Sequence, residues 1–113
     1  GSSRGALQRL GREPQCVLLV SIEGSNPGSL WLVQRVWQDV HVQRLLREPQ
    51  VEAIRLQESD DEALFWLDEF GLAGTPAVLL LHGLRYTQLF RESRLPPSKL
   101  ASALASALAS ALA

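Results

Sequence analysis

The chain has little of what most catalytic or membrane proteins depend on. It holds a single cysteine, Cys16, among 113 residues. One thiol cannot close an intrachain disulfide, so neither a disulfide framework nor a two-cysteine redox pair can be built, and the count suits a reducing compartment. Charge of either sign is not in surplus: 11 Lys and Arg stand against 12 Asp and Glu, for a net charge of −1. That balance supplies no sequence-wide pull toward nucleic acid or anionic lipid. Apolar runs of the roughly 18 to 20 residues that cross a bilayer are missing, and "GSSRGALQRLG" lacks the apolar centre of a secretory signal. A cytoplasmic protein that does not insert into a membrane is expected. His41 and His82 stand far apart with no cysteine or acid at ligand spacing, which predicts no metal site and no cofactor. "GSNPGS" lacks the lysine and following hydroxyl of a phosphate loop. No G-x-S-x-G elbow accompanies a serine, which leaves Ser25 or Ser29 with a histidine as a poor hydrolytic pair.

What is present is enough apolar material, 46% of residues, to close one core. "SRGALQRLG" sets Ala6, Leu7 and Leu10 on one side of a short helix. "QCVLLVSIEG" is apolar and β-branched over a short length, which predicts a buried strand closed by Glu23 and Gly24, with Cys16 a small buried hydrophobe at its start. The turn chemistry of "GSNPGS" follows, with a helix expected from about Ser29. Leu32, Val33, Val36, Val40 and Leu45 or Leu46 then repeat at helical spacing, with a break near Gln38–Asp39. "VEAIRLQ" is read as a strand covered on both sides. "SDDEALFWLDEFG" offers Ser59 as N-cap, Glu62 three residues on, and Gly71 as stop. "AVLLL" and "RYTQLFRE" make a hairpin through His82–Gly83, and "PPSKLASALASALASALA" a final helix.

Strands separated by helices predict parallel crossovers, and the hairpin an antiparallel pair. The fold class is α/β, a mixed four-stranded sheet flanked by helices. Residues 1–97 make the domain, and 98–113 a helical Ala/Leu/Ser-repeat extension in which Leu108 and Leu112 overrun the sheet and invite contact or self-association. Trp31, Trp37 and Trp66 are read as core or core-edge aromatics, with Trp31 the candidate exposed anchor. Arg44, Arg47, Arg55, Arg85, Arg91 and Arg94 are scattered in sequence and would make an anion-binding patch only if folding gathers them.

Pro76 stands directly before the apolar strand. An X–Pro bond is held cis for about 0.5–1 kcal/mol, against roughly 2.5–4 for other residues. At the first position of a strand a proline also removes no needed ladder donor. "FGLAGTPAVLLLHG" resembles the thioredoxin pattern aromatic-Gly-aliphatic-x-Gly-x-Pro followed by an apolar strand and a glycine turn. The resemblance implies a thioredoxin-like fold with a cis Thr75–Pro76 bond before the third strand, facing the active-site loop. Where thioredoxin-like enzymes carry C-x-x-C, this chain reads "EGSNPGSLW". Ser25, Asn26, Pro27, Gly28 and Ser29 fill the loop, and none can exchange a disulfide. These residues with Thr75 and Pro76 form the candidate binding site.

Among thioredoxin-like domains without a dithiol, "GALQRL", "VWQDVHVQRLL" and "VEAIRL" are similar to the UAS-type domains of UBX-containing ubiquitin-pathway adaptors. No UBX module follows, and Arg55–Gln57 lacks an acid often found after that strand in the group. The expectation is a redox-inactive interaction or scaffold module with a protein partner and no nucleic acid, placed on the cytosolic face of the endoplasmic reticulum if it belongs to such an adaptor. The alternatives are a domain that binds a fatty acid or another small apolar or anionic molecule in the groove by Pro76, and a weak enzyme without a dithiol.

Overall fold

A computed structural model describes residues 3–83 and 86–112. In chain order the elements are α1 (Ser3–Arg12), β1 (Val17–Glu23), α2 (Pro27–Trp31), a π-helical turn (Leu32–Val36), α3 (Val40–Leu46), β2 (Val51–Gln57), α4 (Asp61–Glu69), β3 (Ala77–His82), β4 (Tyr86–Phe90) and α5 (Pro97–Leu112). The strands lie in the order β2-β1-β3-β4. β1 pairs parallel with β2, while the β1–β3 and β3–β4 pairs are antiparallel.

The antiparallel β1–β3 pair departs from the crossover expectation, and the register explains it. β2 ends with Gln57 beside Glu23, and β3 begins with Ala77 beside Ile22, at the same end of the sheet. A helix alone would have carried the chain to the far end. The connection 70–76 returns it, since a few extended residues at about 3.3 Å each match the length of a two-to-three-turn helix.

Strand alternation divides the core into two layers. Val17, Leu19, Val78 and Leu80 face one cluster with Leu32, Val36, Trp37, Val42 and the α5 residues Leu100, Leu104 and Leu108. Leu18, Val20, Ile22, Leu79 and Leu81 face the other, with Ala6 and Leu10 of α1 and Ala63 and Trp66 of α4. Trp66 is fully buried and stacks on Phe70 at 5.5 Å between ring centres.

Four local expectations change. The widened turn, in which the Trp37 N–H donates to the Leu32 carbonyl at 2.9 Å, rotates the helical face. Val33 emerges into solvent, and Val40, which restarts the chain as the first residue of α3 after Asp39, is 65% exposed while Val42 takes the core position. β2 is an edge strand bordered by β1 alone, and on one of its faces Ala53 and Arg55 are exposed rather than covered. Asp60, not Ser59, precedes the first turn of α4, and its carboxylate accepts from the Gln57 N–H at 2.9 Å instead of capping the helix. Cys16 stands just ahead of β1 and is only half-buried, with its thiol 3.7 Å from a Glu13 carboxylate oxygen.

The C-terminal repeat is corrected too. Leu108 is 8% exposed and belongs to the core with Leu100 and Leu104. At 1.5 Å per residue a 16-residue helix is about 24 Å long, as long as the seven-residue strand it crosses. The helix also packs on α3, whose Leu45 and Leu46 border the same cluster. Ser102, Ser106 and Ser110 form the outer face. The Leu112 side chain lies outside the described residues. Among the described residues no helix is long and apolar enough to cross a membrane.

Candidate functional site

The loop between β1 and α2 meets the start of β3 at one end of the sheet. Asn26 organises it. Its side-chain oxygen accepts from the Ser29 N–H at 2.9 Å and so caps α2, while its amide nitrogen donates to the Thr75 carbonyl at 2.7 Å and the Thr75 hydroxyl oxygen at 2.9 Å. Pro27 follows at the first helical position, where a missing N–H costs nothing. Ser29, 1% exposed, accepts from the Gly24 N–H at 2.8 Å. Thr75 donates from its hydroxyl to Glu58 at 3.0 Å. The Thr75–Pro76 peptide is cis.

Close approach dictates the glycines here. A Cβ on Gly28 would stand 2.8 and 2.9 Å from the Pro76 ring and 3.2 Å from the Ser93 backbone. At Gly24 the obstacles, both at 2.6 Å, are the carboxylate of exposed Glu58, which can swing away, and the Thr75 hydroxyl. The glycine that fits the cis-proline is thus the stricter requirement.

Thr75, Pro76, Asn26, Pro27 and Gly28 line an open groove of about 690 Å³. Its other wall is Leu30, Trp31 and Gln34 of the helix, with Arg91, Ser93 and Arg94 beyond β4. Trp31 is held at the groove edge, its indole N–H donating to the Leu95 carbonyl at 2.8 Å. The sequence-predicted residues Asn26, Pro27, Gly28, Thr75, Pro76 and Trp31 are therefore brought together. Ser29 lies beneath them, and exposed Ser25 lies on the other side of Asn26, on a smaller cleft with Glu23 and Arg55. Leu108 is in the core and takes no part.

Sequence reasoning passed over the most connected side chain of this end. Glu23, read only as a strand terminator, is 2% exposed. One carboxylate oxygen accepts from the Ser21 hydroxyl at 2.7 Å, the Arg55 Nε at 2.9 Å and the Trp37 indole at 3.1 Å. The other accepts from an Arg55 terminal nitrogen at 2.8 Å. Burial raises the pKa of this carboxyl, but the Arg55 hydrogen bonds and charge, with the Ser21 and Trp37 bonds, outweigh it and hold the group below the ordinary carboxylate value. The available signal was its parity, since Glu23 follows Leu19 and Ser21 on the inward face and Arg55 pairs beside Ser21 on β2.

The chemistry open to the loop is narrow. Asn26 and Ser29 stand three apart across the start of α2, and neither is a thiol. His82 ends β3 beside Val17, at the opposite end of the sheet from Ser25 and Ser29, and His41 is exposed on α3. Among the described residues no three His, Cys, Asp or Glu side chains gather in a way that could hold a metal ion.

Comparison with protein families and with curated proteins finds no match for the sequence. Comparison with solved structures finds the fold. The chain is similar to a thioredoxin from Thermus thermophilus, with a TM-score of 0.67 at 16% identity over 93% of this chain and 82% of that one. The reduced C-terminal domain of DsbD from Neisseria meningitidis superposes with a TM-score of 0.67 at 12% identity, over 91% and 95% of the two chains. Chloroplastic thioredoxin z follows with a TM-score of 0.63 at 13% identity, over 96% and 92%. The fold is thioredoxin-like.

Proposed function

We propose that this domain is a redox-inactive protein-interaction or scaffold module built on a thioredoxin-like frame, serving in a ubiquitin-linked adaptor. The observation that carries the reading is the loop itself. At the place where thioredoxin-like enzymes hold two thiols, Asn26 and Ser29 spend their side chains on the loop and on Thr75. Such hydrogen bonding favours a fixed surface over a reactive one. The adaptor assignment rests on the likeness of "GALQRL", "VWQDVHVQRLL" and "VEAIRL" to UAS-type domains. In that stretch Trp37 bonds Glu23, and the Asp39 carboxylate caps α3 by accepting from the Val42 N–H at 3.0 Å. A fatty-acid site would call for an enclosed apolar cavity. The open groove, bordered by arginines, is better suited to a macromolecular surface.

Insulin-disulfide reduction with dithiothreitol tests the absence of activity, with the expected rate that of buffer alone. A rate above buffer that persists in Cys16→Ser contradicts the reading. Affinity capture from cell extract tests the positive half. A partner retained by the wild type and lost by Leu30→Asp supports it, because Leu30 is 55% exposed and its substitution spares the core.

A further inference from the structure

We infer that the groove between α2 and the segment 91–94 docks a protein segment rich in Asp and Glu that also carries an aliphatic or aromatic side chain. The inference rests on the interaction-module reading and names the partner's chemistry. Folding gathers charge here that the sequence scatters. Arg91 and Arg94 line the groove wall, and the guanidinium carbons of Arg94 and Arg35 lie 6.0 and 5.6 Å from the centre of the Trp31 ring. All three arginines are exposed, and none forms an ion pair among the described residues.

Two of the nearby acids are held in ion pairs, and a third keeps its charge while accepting a hydroxyl bond. Glu92 pairs with Lys99, Glu58 accepts from Thr75, and Glu23 is bonded by Arg55. A chain with net charge −1 therefore presents a locally cationic wall. Exposed guanidinium forks match carboxylates in geometry as well as charge. Beside them Leu30 is 55% exposed and Trp31 is half-buried, an apolar strip on which one hydrophobic side chain can rest. Trp31 is pinned through its N–H to Leu95, so little ordering is needed on binding. The Thr75 carbonyl already accepts one bond, from the Asn26 amide.

The test is selection of a random dodecapeptide phage library on the full chain and on the charge-reversed variant Arg91→Glu/Arg94→Glu. Both positions are exposed, and an unchanged urea midpoint establishes that the variant is folded. The expected result is enrichment of peptides with several Asp or Glu around a Leu, Phe or Trp. Synthetic copies should bind the variant at least about tenfold more weakly and lose affinity as salt rises. Enriched peptides without acidic bias, or acidic peptides that bind both proteins alike, overturn the inference and leave the interaction reading standing. The same holds if a single-stranded oligonucleotide binds the wild type more tightly than the selected peptides. No enrichment together with no captured partner overturns both.

Discussion

Two polar clusters sit at the same end of the sheet and do different work. One is the neutral set of half-buried Gly24, Asn26 and Thr75 with buried Ser29, which shapes the loop and the groove rim. The other is the buried carboxylate of Glu23 with Ser21, Trp37 and Arg55, which ties β1 to edge strand β2 and to the residue that follows the π turn. The first uses ordinary hydrogen bonds near water, each worth about 0.5–1.5 kcal/mol net. The second holds a charge out of water, where removing one partner of a buried pair costs several times as much. Stability should therefore depend on the second cluster and surface shape on the first.

The largest effect is expected at Glu23. Glu23→Ala leaves the Trp37 N–H and Ser21 hydroxyl without their acceptor and should cost about 3 kcal/mol in a urea melt, the low end of the range because Arg55 is half exposed. Gly28→Ala comes next, at about 2 kcal/mol, since the new methyl meets the Pro76 ring and the Ser93 backbone, neither of which can swing aside. The same change at Gly24 should cost less, because its obstacles include the exposed Glu58 carboxylate, which can move, and no backbone. Asn26→Ala, which removes the α2 cap and the link to Thr75, should cost about 1 kcal/mol. A loss at Asn26 equal to that at Glu23 would erase the distinction between the clusters.

Acid should act on one cluster only. The folded-state pKa of Glu23 is depressed, so its stabilisation is fully present above the unfolded carboxylate value of about 4.3 and is lost as pH falls through the lower folded value. Urea midpoints of wild type and Glu23→Gln should differ at pH 7 and converge toward pH 3. A gap that stays constant across that range would mean that Glu23 does not fold as a carboxylate. Asn26→Ala, which alters no titrating group, should track the wild type in parallel.

The order of elements was legible because buried strands, turn residues and capped helices announce themselves within a few residues. The groove residues were legible for the same reason, as turn chemistry beside a proline. What escaped reading depends on contacts distant in the chain. Glu23 looks like a strand end until Arg55 is brought beside it, 32 residues on. Leu108 looks surplus until α5 is seen to pack on α3 as well as on the sheet. Val33 and Val40 keep a helical period that the widened turn and the restart at Asp39 discard. The direction of β3 depends on the path of the connection 70–76, which no periodicity records. The cationic wall was visible only as scattered arginines, and Arg35 joins it through Trp31.

The central proposal is a redox-inactive domain on a thioredoxin-like fold. The most direct measurement is insulin-disulfide reduction by the wild type beside Asn26→Cys/Ser29→Cys, which places two thiols three residues apart across the start of α2. The account predicts the buffer rate for the wild type and a rate clearly above it for the double variant. A wild-type rate above buffer that is unchanged in Cys16→Ser, with no gain in the double variant, would contradict it.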